Sequence, residues 1–384
     1  MRFEFATAMR IVFGPGAVRE VAPAAKTLGR RALVVTGRST ERAAGLVAEL
    51  AAAGVSCALL SVSEEPSVNL VRQGRKFAHD ERCDLVIGFG GGSALDAAKT
   101  IAALLTNNRD VMDYLEVIGA GQALSAPGAP FIAIPTTAGT GTEVTRNAVL
   151  ASPEHRVKVS LRSPLMLARL AVIDPELTHD LLPAVTARTG LDALAQLIEP
   201  YTCNRASPMT DGYCLEGMRR VARSLRRAYH DGHNAEARME MSLASLLGGL
   251  SLANAGLGVV HGFAAPIGGM FPAPHGAVCA ALLPHGMEVN IRALRARAPG
   301  SEMLRRYETV ARILTGKAEA SGEEGVEWVS ELVRELQIPP LGTYGIQPGD
   351  IATLVEKASK ANSMKANPLV LTADELREVL TRAL

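Results

Sequence analysis

The feature that most constrains the fold is an alternation of short apolar runs with helical patterns in the first half of the chain. The runs predict strands at Ala32–Thr36, Cys57–Ser61, Asp84–Phe89, Phe131–Pro135 and Ala171–Asp174. The intervening patterns predict helices at Ser39–Ala53, Leu70–Glu81 and Ser93–Thr106. Apolar strands separated by helices are typical of a parallel sheet that is covered on both faces. We therefore expect an α/β domain with a parallel, Rossmann-like sheet, and residues 3–14 as a separate pair of short strands.

Beyond Thr178 the patterns change and helices dominate. They are predicted at Ala184–Glu199, Thr210–His230, Ala235–Ala255, Ser301–Thr315 and Gly325–Leu336, and within Pro348–Leu384. The sequence thus predicts two domains, an α/β domain over residues 1–178 and an all-α domain over residues 179–384. A chain of 384 residues is long enough for both.

Charge and cysteine usage exclude several classes of function. Lys plus Arg total 40 and Asp plus Glu total 39, which leaves a net charge of +1 and argues against nucleic acid or an anionic membrane as a partner. The five cysteines show no CxxC spacing, so we expect reduced thiols in a cytoplasmic protein.

Glu4 interrupts the N-terminal segment, which has no apolar stretch of signal-peptide length. The span Met241–Met287 lacks charged residues, but Gly, Ser, Asn and Pro interrupt it, so a buried helical core is favoured over a membrane segment.

A glycine-rich loop follows the predicted strand Asp84–Phe89. Gly90, Gly91 and Gly92 precede Ser93, which opens a predicted helix. Glycines let a diphosphate approach the backbone, and a helix N-terminus offers free N–H groups to it. The GxGxxG fingerprint is not satisfied, and a tight turn without a ligand is the alternative. Phosphate binding is favoured because the loop lies at the carboxyl end of a strand.

A second polar loop follows the strand Phe131–Pro135. The segment Thr136–Thr145 carries five threonine hydroxyls and two glycines. Such a loop alone is often only turn chemistry. Two loops of this kind after successive strands predict a lining for ribose and phosphate oxygens.

Taken together, the motifs GGGSALDAAK (Gly90–Lys99) and PTTAGTGTEVT (Pro135–Thr145) resemble the iron-containing alcohol dehydrogenases. The resemblance extends through Ile173–Thr178, Thr189–Leu194 and residues 261–285. It implies a nicotinamide cofactor bound across the α/β domain and a divalent metal in a cleft against the helical domain. Residues 1–178 would then be the dinucleotide-binding domain and residues 179–384 the metal and substrate domain.

The resemblance also implies where the cofactor lies, with Lys158 near the nicotinamide ribose and the glycine loop at the diphosphate. The predicted cofactor-binding residues are Gly37, Ser39, Gly90, Gly91, Gly92, Ser93, Asp96, Thr136, Thr137, Thr140, Thr145 and Lys158. On the adenosine side, many relatives carry an acidic residue after the first strand, whereas this chain reads Gly37-Arg38-Ser39. Losing that carboxylate removes its repulsion of a 2′-phosphate, so we expect NADP(H) to be accepted as well as NAD(H).

Asp192, His261 and His275 are the candidate metal ligands. Asp192 lies in a helical pattern, His261 ends a long helical run, and His275 follows a proline-containing loop. A carboxylate and two imidazoles suit Fe²⁺, Zn²⁺ or Mn²⁺, and Fe²⁺ is expected first from the resemblance. A lone histidine is more often a satisfied core residue, but all three positions match the metal ligands of the resembling family.

Two positions depart from that family. Four residues after its Asp the family usually has a His, where this chain has Gln196, a neutral and weaker donor. We favour a metal held by Asp192, Gln196, His261 and His275; the alternative is that Gln196 orients water or substrate at a site without metal. The second departure is Ala265, where the family often has a His of a proton path. No catalytic residue beyond the metal ligands is therefore assigned.

The expected activity is an NAD(P)-dependent alcohol dehydrogenase or aldehyde reductase acting on a small alcohol or aldehyde, in a homodimer or larger assembly. One alternative is a metal-independent oxo-acid reductase resembling the maleylacetate reductases, which Gln196 and Ala265 favour. Two others are a lyase like dehydroquinate synthase and a nucleotide-binding protein without catalysis.

Overall fold

The computed structural model describes residues 2–384, which form two compact units. One unit is Phe5–Thr178, and the other comprises residues 2–4 with His179–Leu384.

The first unit is built on a six-stranded sheet in the order β1-β8-β5-β4-β2-β3, in which every pairing is parallel. The strands of the sheet are β1 (Ile11–Phe13), β2 (Arg31–Thr36), β3 (Ser56–Ser61), β4 (Leu85–Gly90), β5 (Phe131–Pro135) and β8 (Leu170–Ile173). All six residues of β4 and all five of β5 are buried, as expected for central strands with both faces covered. The predicted Rossmann-like parallel sheet is confirmed.

Helices connect these strands and cover the sheet. They are α1 (Val21–Leu28), α2 (Ala44–Ala52), α3 (Val68–Asp80), α4 (Gly92–Thr106) and α5 (Val111–Tyr114). Helix α4 lies so close to β4 that a Cβ on Gly88 would come within 2.7 Å of Leu95 Cδ2. Glycine at this strand position therefore lets the helix that follows the glycine loop pack directly on the sheet.

Two features of this unit differ from the sequence-based expectations. Residues 3–14 do not form a separate pair of strands, because the only strand there, β1, pairs in parallel with β8 and joins the main sheet. The edge of β8 supplies hydrogen-bond partners to the short apolar run Ile11–Phe13, and the run thereby joins a large sheet. An isolated pair of strands this short is only marginally stable in water. An antiparallel hairpin, β6 (Asn147–Ser152) with β7 (Val157–Arg162), was not predicted.

The second unit contains helices throughout, which confirms the predicted all-α part of the chain. They are α6 (Pro183–Thr202), α7 (Pro208–His230), α8 (Ala235–Asn254), α9 (Val259–Met270), α10 (His275–Arg297), α11 (Glu302–Thr315), α12 (Gly322–Glu335), α13 (Ile351–Lys360) and α14 (Ala373–Arg382). Every residue of helix α6 from Gly190 to Thr202 is buried, and the helix packs against α7, α8 and α10. It forms the central element of the unit.

The predicted helix Ala235–Ala255 agrees with α8, but the predicted position of His261 at the end of a long helical run was wrong. His261 does not end the run that begins at Ala235, because that helix stops at Asn254 and α9 starts at Val259. The intervening Gly256 and Gly258 break the apolar run. His261 is therefore in the first turn of a new helix.

Within residues 2–384, no single helix is long and apolar enough to cross a membrane; α8 and α9 meet that test only as a pair, with a 94° bend between them.

Candidate active site

The two polar loops predicted from the sequence meet at the carboxyl edge of the sheet. Gly90 on β4 is in register with Pro135 on β5, and the Thr136 amide donates to the Gly90 carbonyl at 2.9 Å. A Cβ on Gly92 would approach Thr140 Cγ2 to 2.8 Å. The glycine loop and the hydroxyl loop are thus packed against each other, and Gly92 is required by this close approach.

A buried lysine holds the hydroxyl loop in place. Lys99 on α4 is 1% exposed, and its ammonium donates to the carbonyl oxygens of Thr142, Thr145 and Asn147 at 2.6–2.9 Å. It also contacts the hydroxyls of Thr142 and Thr145. Lys99 therefore fixes the end of the loop and the first residue of β6 by bonding three backbone carbonyls at once.

Asp96, one turn before Lys99, completes the same network. Its Oδ1 accepts from the Thr142 hydroxyl at 2.5 Å, and its Oδ2 accepts from the Val149 amide at 3.0 Å. Both carboxylate oxygens of Asp96, and the Thr145 hydroxyl, are thus engaged within the protein. Asp96 and Thr145 were both predicted to bind the cofactor, and in the structure they help to hold the loop in place. Thr142, which was not among the predicted site residues, links this network because it bonds to both Asp96 and Lys99.

Burial shifts the pKa values of two charged groups in this network. Desolvation lowers the pKa of Lys99 to about 8, although the nearby Asp96 and Glu143 carboxylates oppose the shift. The same burial raises the pKa of Glu143 to about 7. Glu143 Oε2 is buried and has no hydrogen-bond partner within residues 2–384.

Three further predicted cofactor residues, Gly37, Ser39 and Lys158, lie outside the two polar loops. Gly37 follows β2 next to the glycine loop, since a Cβ on Gly90 would lie 3.1 Å from the Gly37 nitrogen. Ser39 is exposed just beyond Gly37. Lys158 on β7 pairs with Glu65 at 3.1 Å, and only 5% of its side chain is exposed.

In the helical unit, α6 presents three polar side chains on one buried face. Asp192, Gln196 and Glu199 follow one another at spacings of four and three residues, which places them along the same side of the helix. They are 1%, 2% and 7% exposed, respectively. Polar groups buried this deeply need hydrogen-bond partners or a bound ion, so this face of α6 is a candidate binding site.

Two histidines from other helices meet this face at Asp192. His261 Nε2 lies 3.5 Å from Asp192 Oδ1, and His275 Nε2 lies 3.7 Å from the same oxygen. His275 is the first residue of α10, and a Cβ on the next residue, Gly276, would lie 2.5 Å from the Arg188 carbonyl on α6. Glycine at 276 thus lets the first turn of α10 approach α6 closely enough to bring His275 to Asp192.

Glu199 orients His261, a role that the sequence analysis missed. Its Oε2 lies 2.6 Å from His261 Nδ1, and its Oε1 accepts from the Val260 amide at 2.8 Å. The carboxylate thus caps the first turn of α9 and fixes the ring that this turn carries. The spacing of Asp192, Gln196 and Glu199 on one helical face was the available signal for this residue.

Three buried polar atoms at this place lack a hydrogen-bond partner among residues 2–384. They are Asp192 Oδ1, Gln196 Oε1 and His261 Nε2. With Nδ1 bonded to Glu199, the free Nε2 of His261 is available as a donor to a cation. Asp192 Oδ1 and His261 Nε2, both unsatisfied and 3.5 Å apart, fit a divalent metal ion, which would satisfy both of them.

The electrostatics also fit a cation. Burial alone would raise the pKa of Asp192, but the neighbouring His275 and His261 hold it below its usual value. Burial disfavours a charged His275, yet the adjacent Cys279 and Asp192 raise its pKa to about 9. For His261 the same balance raises the pKa well above its usual value. The cluster therefore stabilises positive charge at its centre.

The structure thus brings together Asp192, His261 and His275, with Gln196 buried one turn further along α6. It also adds Cys279 on α10, which the sequence analysis treated only as a reduced thiol. The ligand atoms of Asp192, His261, His275 and Cys279 all lie within 4.8 Å of one another.

Comparison with known proteins agrees with these features. The family model of the iron-containing alcohol dehydrogenases matches residues 8–175, and that of the C-terminal part of the same family matches residues 186–384. A choline dehydrogenase of Bacillus subtilis is 35% identical over 95% of this chain and 90% of its own length. Alcohol dehydrogenase 4 of Schizosaccharomyces pombe is 37% identical over 84% of this chain and 74% of its own length. The crystal structure of a 1,3-propanediol oxidoreductase superposes with a TM-score of 0.92 at 31% identity, covering both chains completely.

These matches favour the alcohol dehydrogenase interpretation over the oxo-acid reductase, lyase and non-catalytic alternatives. The cofactors of such an enzyme are a nicotinamide nucleotide and a metal ion, in agreement with the glycine loop and with the cluster around Asp192. The chain belongs to the iron-containing alcohol dehydrogenase family, and it is an oxidoreductase that acts on CH–OH groups.

Proposed function

We propose that this enzyme interconverts small alcohols and aldehydes with NAD(H) or NADP(H) at a divalent metal held by Asp192, Gln196, His261 and His275. Residues 1–178 would bind the nucleotide, and residues 179–384 the metal and the substrate. The observation that carries the proposal is the set of partnerless, buried atoms of Asp192, Gln196 and His261. We propose Fe²⁺ as the first candidate, with Zn²⁺ or Mn²⁺ as replacements.

When bound, the metal supplies a Lewis acid that stabilises negative charge on the substrate oxygen. The protein's own part is to hold the donors in place. Glu199 keeps His261 in the tautomer that leaves Nε2 free, and Asp192 supplies a negative charge. The His275 side chain is 33% exposed, whereas those of Asp192 and His261 are 2% and 6% exposed, so the substrate would approach from the side of His275.

At the nucleotide site, the backbone does most of the binding. Helix α4 begins at Gly92 and Ser93, with Gly91 as its N-cap. The first N–H groups of the helix have no partner within it and would face the diphosphate. Thr136, Thr137 and Thr140 would contact ribose and phosphate oxygens, with Lys158 near the nicotinamide ribose. The Lys99 network holds their loop in position.

The proposal is tested by following the nicotinamide absorbance of purified enzyme with a series of short alcohols and, in reverse, short aldehydes. The named activities of the relatives make choline and propanediol the first substrates to include. We expect metal-dependent turnover with at least one of them. Absence of NAD(P)H oxidation with every short aldehyde, at full metal loading, would contradict the proposal.

Glu199→Gln is expected to lower metal affinity by about 10- to 100-fold, because the variant weakens the hydrogen bond that orients His261. The amide keeps the size of the side chain, so the cap on α9 is largely retained. Metal affinity is measured by competition with a chromophoric chelator. Glu335→Gln, a half-exposed glutamate that pairs with Arg226 and His230, is the control and should leave metal affinity unchanged.

Gly37→Asp is expected to lower kcat/KM for NADPH by at least about tenfold while leaving that for NADH nearly unchanged, because a carboxylate repels the 2′-phosphate. The residue fits, since a Cβ on Gly37 meets no atom within 4 Å. Steady-state kinetics with both nucleotides measure the ratio. Equal loss with NADH and NADPH would show that position 37 does not discriminate between them.

We also propose a homodimer or larger assembly that works in the cytoplasm. The location is supported by the five cysteines, all of which are free thiols. Sedimentation-velocity ultracentrifugation tests the assembly, and a monomer at micromolar concentration would contradict it.

A further inference from the structure

Cys279 lies one helical turn after His275 on α10, on the same face of the helix. Its side chain is completely buried, and its Sγ is 3.6 Å from His275 Nε2. A buried cysteine is by default a small apolar residue. This one instead lies in a cluster with Asp192 and His261, whose facing atoms have no hydrogen-bond partner within residues 2–384.

All four donor atoms lie within 4.8 Å of one another, close enough to be ligands of a single ion. Three separations are 3.5, 3.7 and 3.6 Å: His261 Nε2 to Asp192 Oδ1, His275 Nε2 to Asp192 Oδ1, and Cys279 Sγ to His275 Nε2. Metal–ligand bonds of about 2.0–2.3 Å place neighbouring donors on one ion about 3–4 Å apart. The distance from Cys279 Sγ to His275 Nε2 therefore falls in the range expected for two ligands of one ion, as do the distances from Asp192 Oδ1 to the two imidazole nitrogens.

The charge of the cluster gives a chemical reason for a thiolate here. The amide of Gln196 is a neutral and weak donor, so Asp192 would otherwise be the one anion facing a divalent ion. A thiolate adds a second negative charge and neutralises the ion within a buried site. Sulfur is also a soft ligand that favours Zn²⁺ and Co²⁺ over Mn²⁺.

We propose that Cys279 binds the metal through its thiolate sulfur, together with Asp192, His261 and His275, and so compensates for the weak donor Gln196. The thiol loses its proton to solvent on metal binding. This inference rests on the proposed metal site and specifies its chemistry. It makes the centre a mixed oxygen, nitrogen and sulfur site that prefers Zn²⁺ or Co²⁺ to Mn²⁺.

The test is titration of the metal-stripped, full-length enzyme with Co²⁺, followed by absorption spectroscopy. Bound Co²⁺ shows visible ligand-field bands, and a thiolate ligand adds an intense charge-transfer band in the near ultraviolet. We expect both in the wild type, and loss of the charge-transfer band in Cys279→Ser and Cys279→Ala. Cys214→Ser, at an equally buried thiol on α7, is the matched control and should keep the band.

We also expect Cys279→Ser to weaken Co²⁺ and Zn²⁺ binding by more than about tenfold, and Mn²⁺ binding by less. Visible bands without a charge-transfer band in the wild type would overturn the thiolate proposal and leave the metal site intact. Persistence of the charge-transfer band in both Cys279 variants would overturn it as well. Absence of any Co²⁺ spectrum in the wild type would instead contradict the metal site itself.

Discussion

Asp192→Asn is expected to remove bound metal and to lower turnover by at least about 10³-fold, since the electrostatic stabilisation of the substrate oxygen is lost with the ion. The substitution keeps the shape of the side chain and removes its charge. Asp192 Oδ1 lies within 3.7 Å of both histidine Nε2 atoms and has no hydrogen-bond partner within residues 2–384. The carboxylate is therefore the anion around which the site is built.

Metal content by elemental analysis and turnover of the same sample measure this prediction. Asp374→Asn makes the same chemical change at a side chain that is 89% exposed, and it should alter neither quantity. The melting temperature of metal-free Asp192→Asn should stay close to that of the metal-free wild type. A variant that retains a full complement of metal would contradict the assignment of Asp192.

Lys99→Met is expected to weaken nucleotide binding by more than tenfold and to destabilise the α/β unit by about 3–5 kcal/mol. Methionine fills similar space but donates no hydrogen bond, so the carbonyls of Thr142, Thr145 and Asn147 lose a shared partner. Asp96 is then left without its nearby cation. The hydroxyl loop would no longer be held against the glycine loop.

Thermal unfolding and titration with NAD⁺ and NADP⁺ measure the two effects of Lys99→Met. The control is Lys76→Met on α3, where the side chain is 78% exposed and pairs with Asp80 in the same helix. A surface ion pair of this kind contributes less than about 1 kcal/mol. Unchanged nucleotide affinity in Lys99→Met would show that the network is purely structural.

Most of the fold could be predicted because the signals are local. The strands β4 and β5 are continuous apolar runs bounded by glycine or proline, and the structure has them within one residue of the predicted bounds. The strand β1 was misassigned because three apolar residues form a strand only when an existing sheet edge receives them. Such pairing depends on a partner more than 150 residues away, which periodicity does not reveal.

In the candidate site, too, residues within local motifs could be predicted, whereas residues defined by contacts between distant segments could not. The glycine loop and the hydroxyl loop are continuous motifs, and Asp192, His261 and His275 could be chosen by residue type and by resemblance. Glu199 and Cys279 were missed because each gains its meaning from a neighbour on another helix, His261 for the first and Asp192 for the second. Their spacings of seven residues from Asp192 and four from His275 place them on the right faces, but many ordinary core residues share such spacings.

A metal titration of the stripped enzyme, with turnover measured at each step, decides whether the cluster around Asp192 is a catalytic metal site. We predict negligible turnover without metal, and turnover that rises in proportion to bound metal until one ion is bound per chain. Full turnover at zero metal content would show that the cluster around Asp192 is not a catalytic metal site.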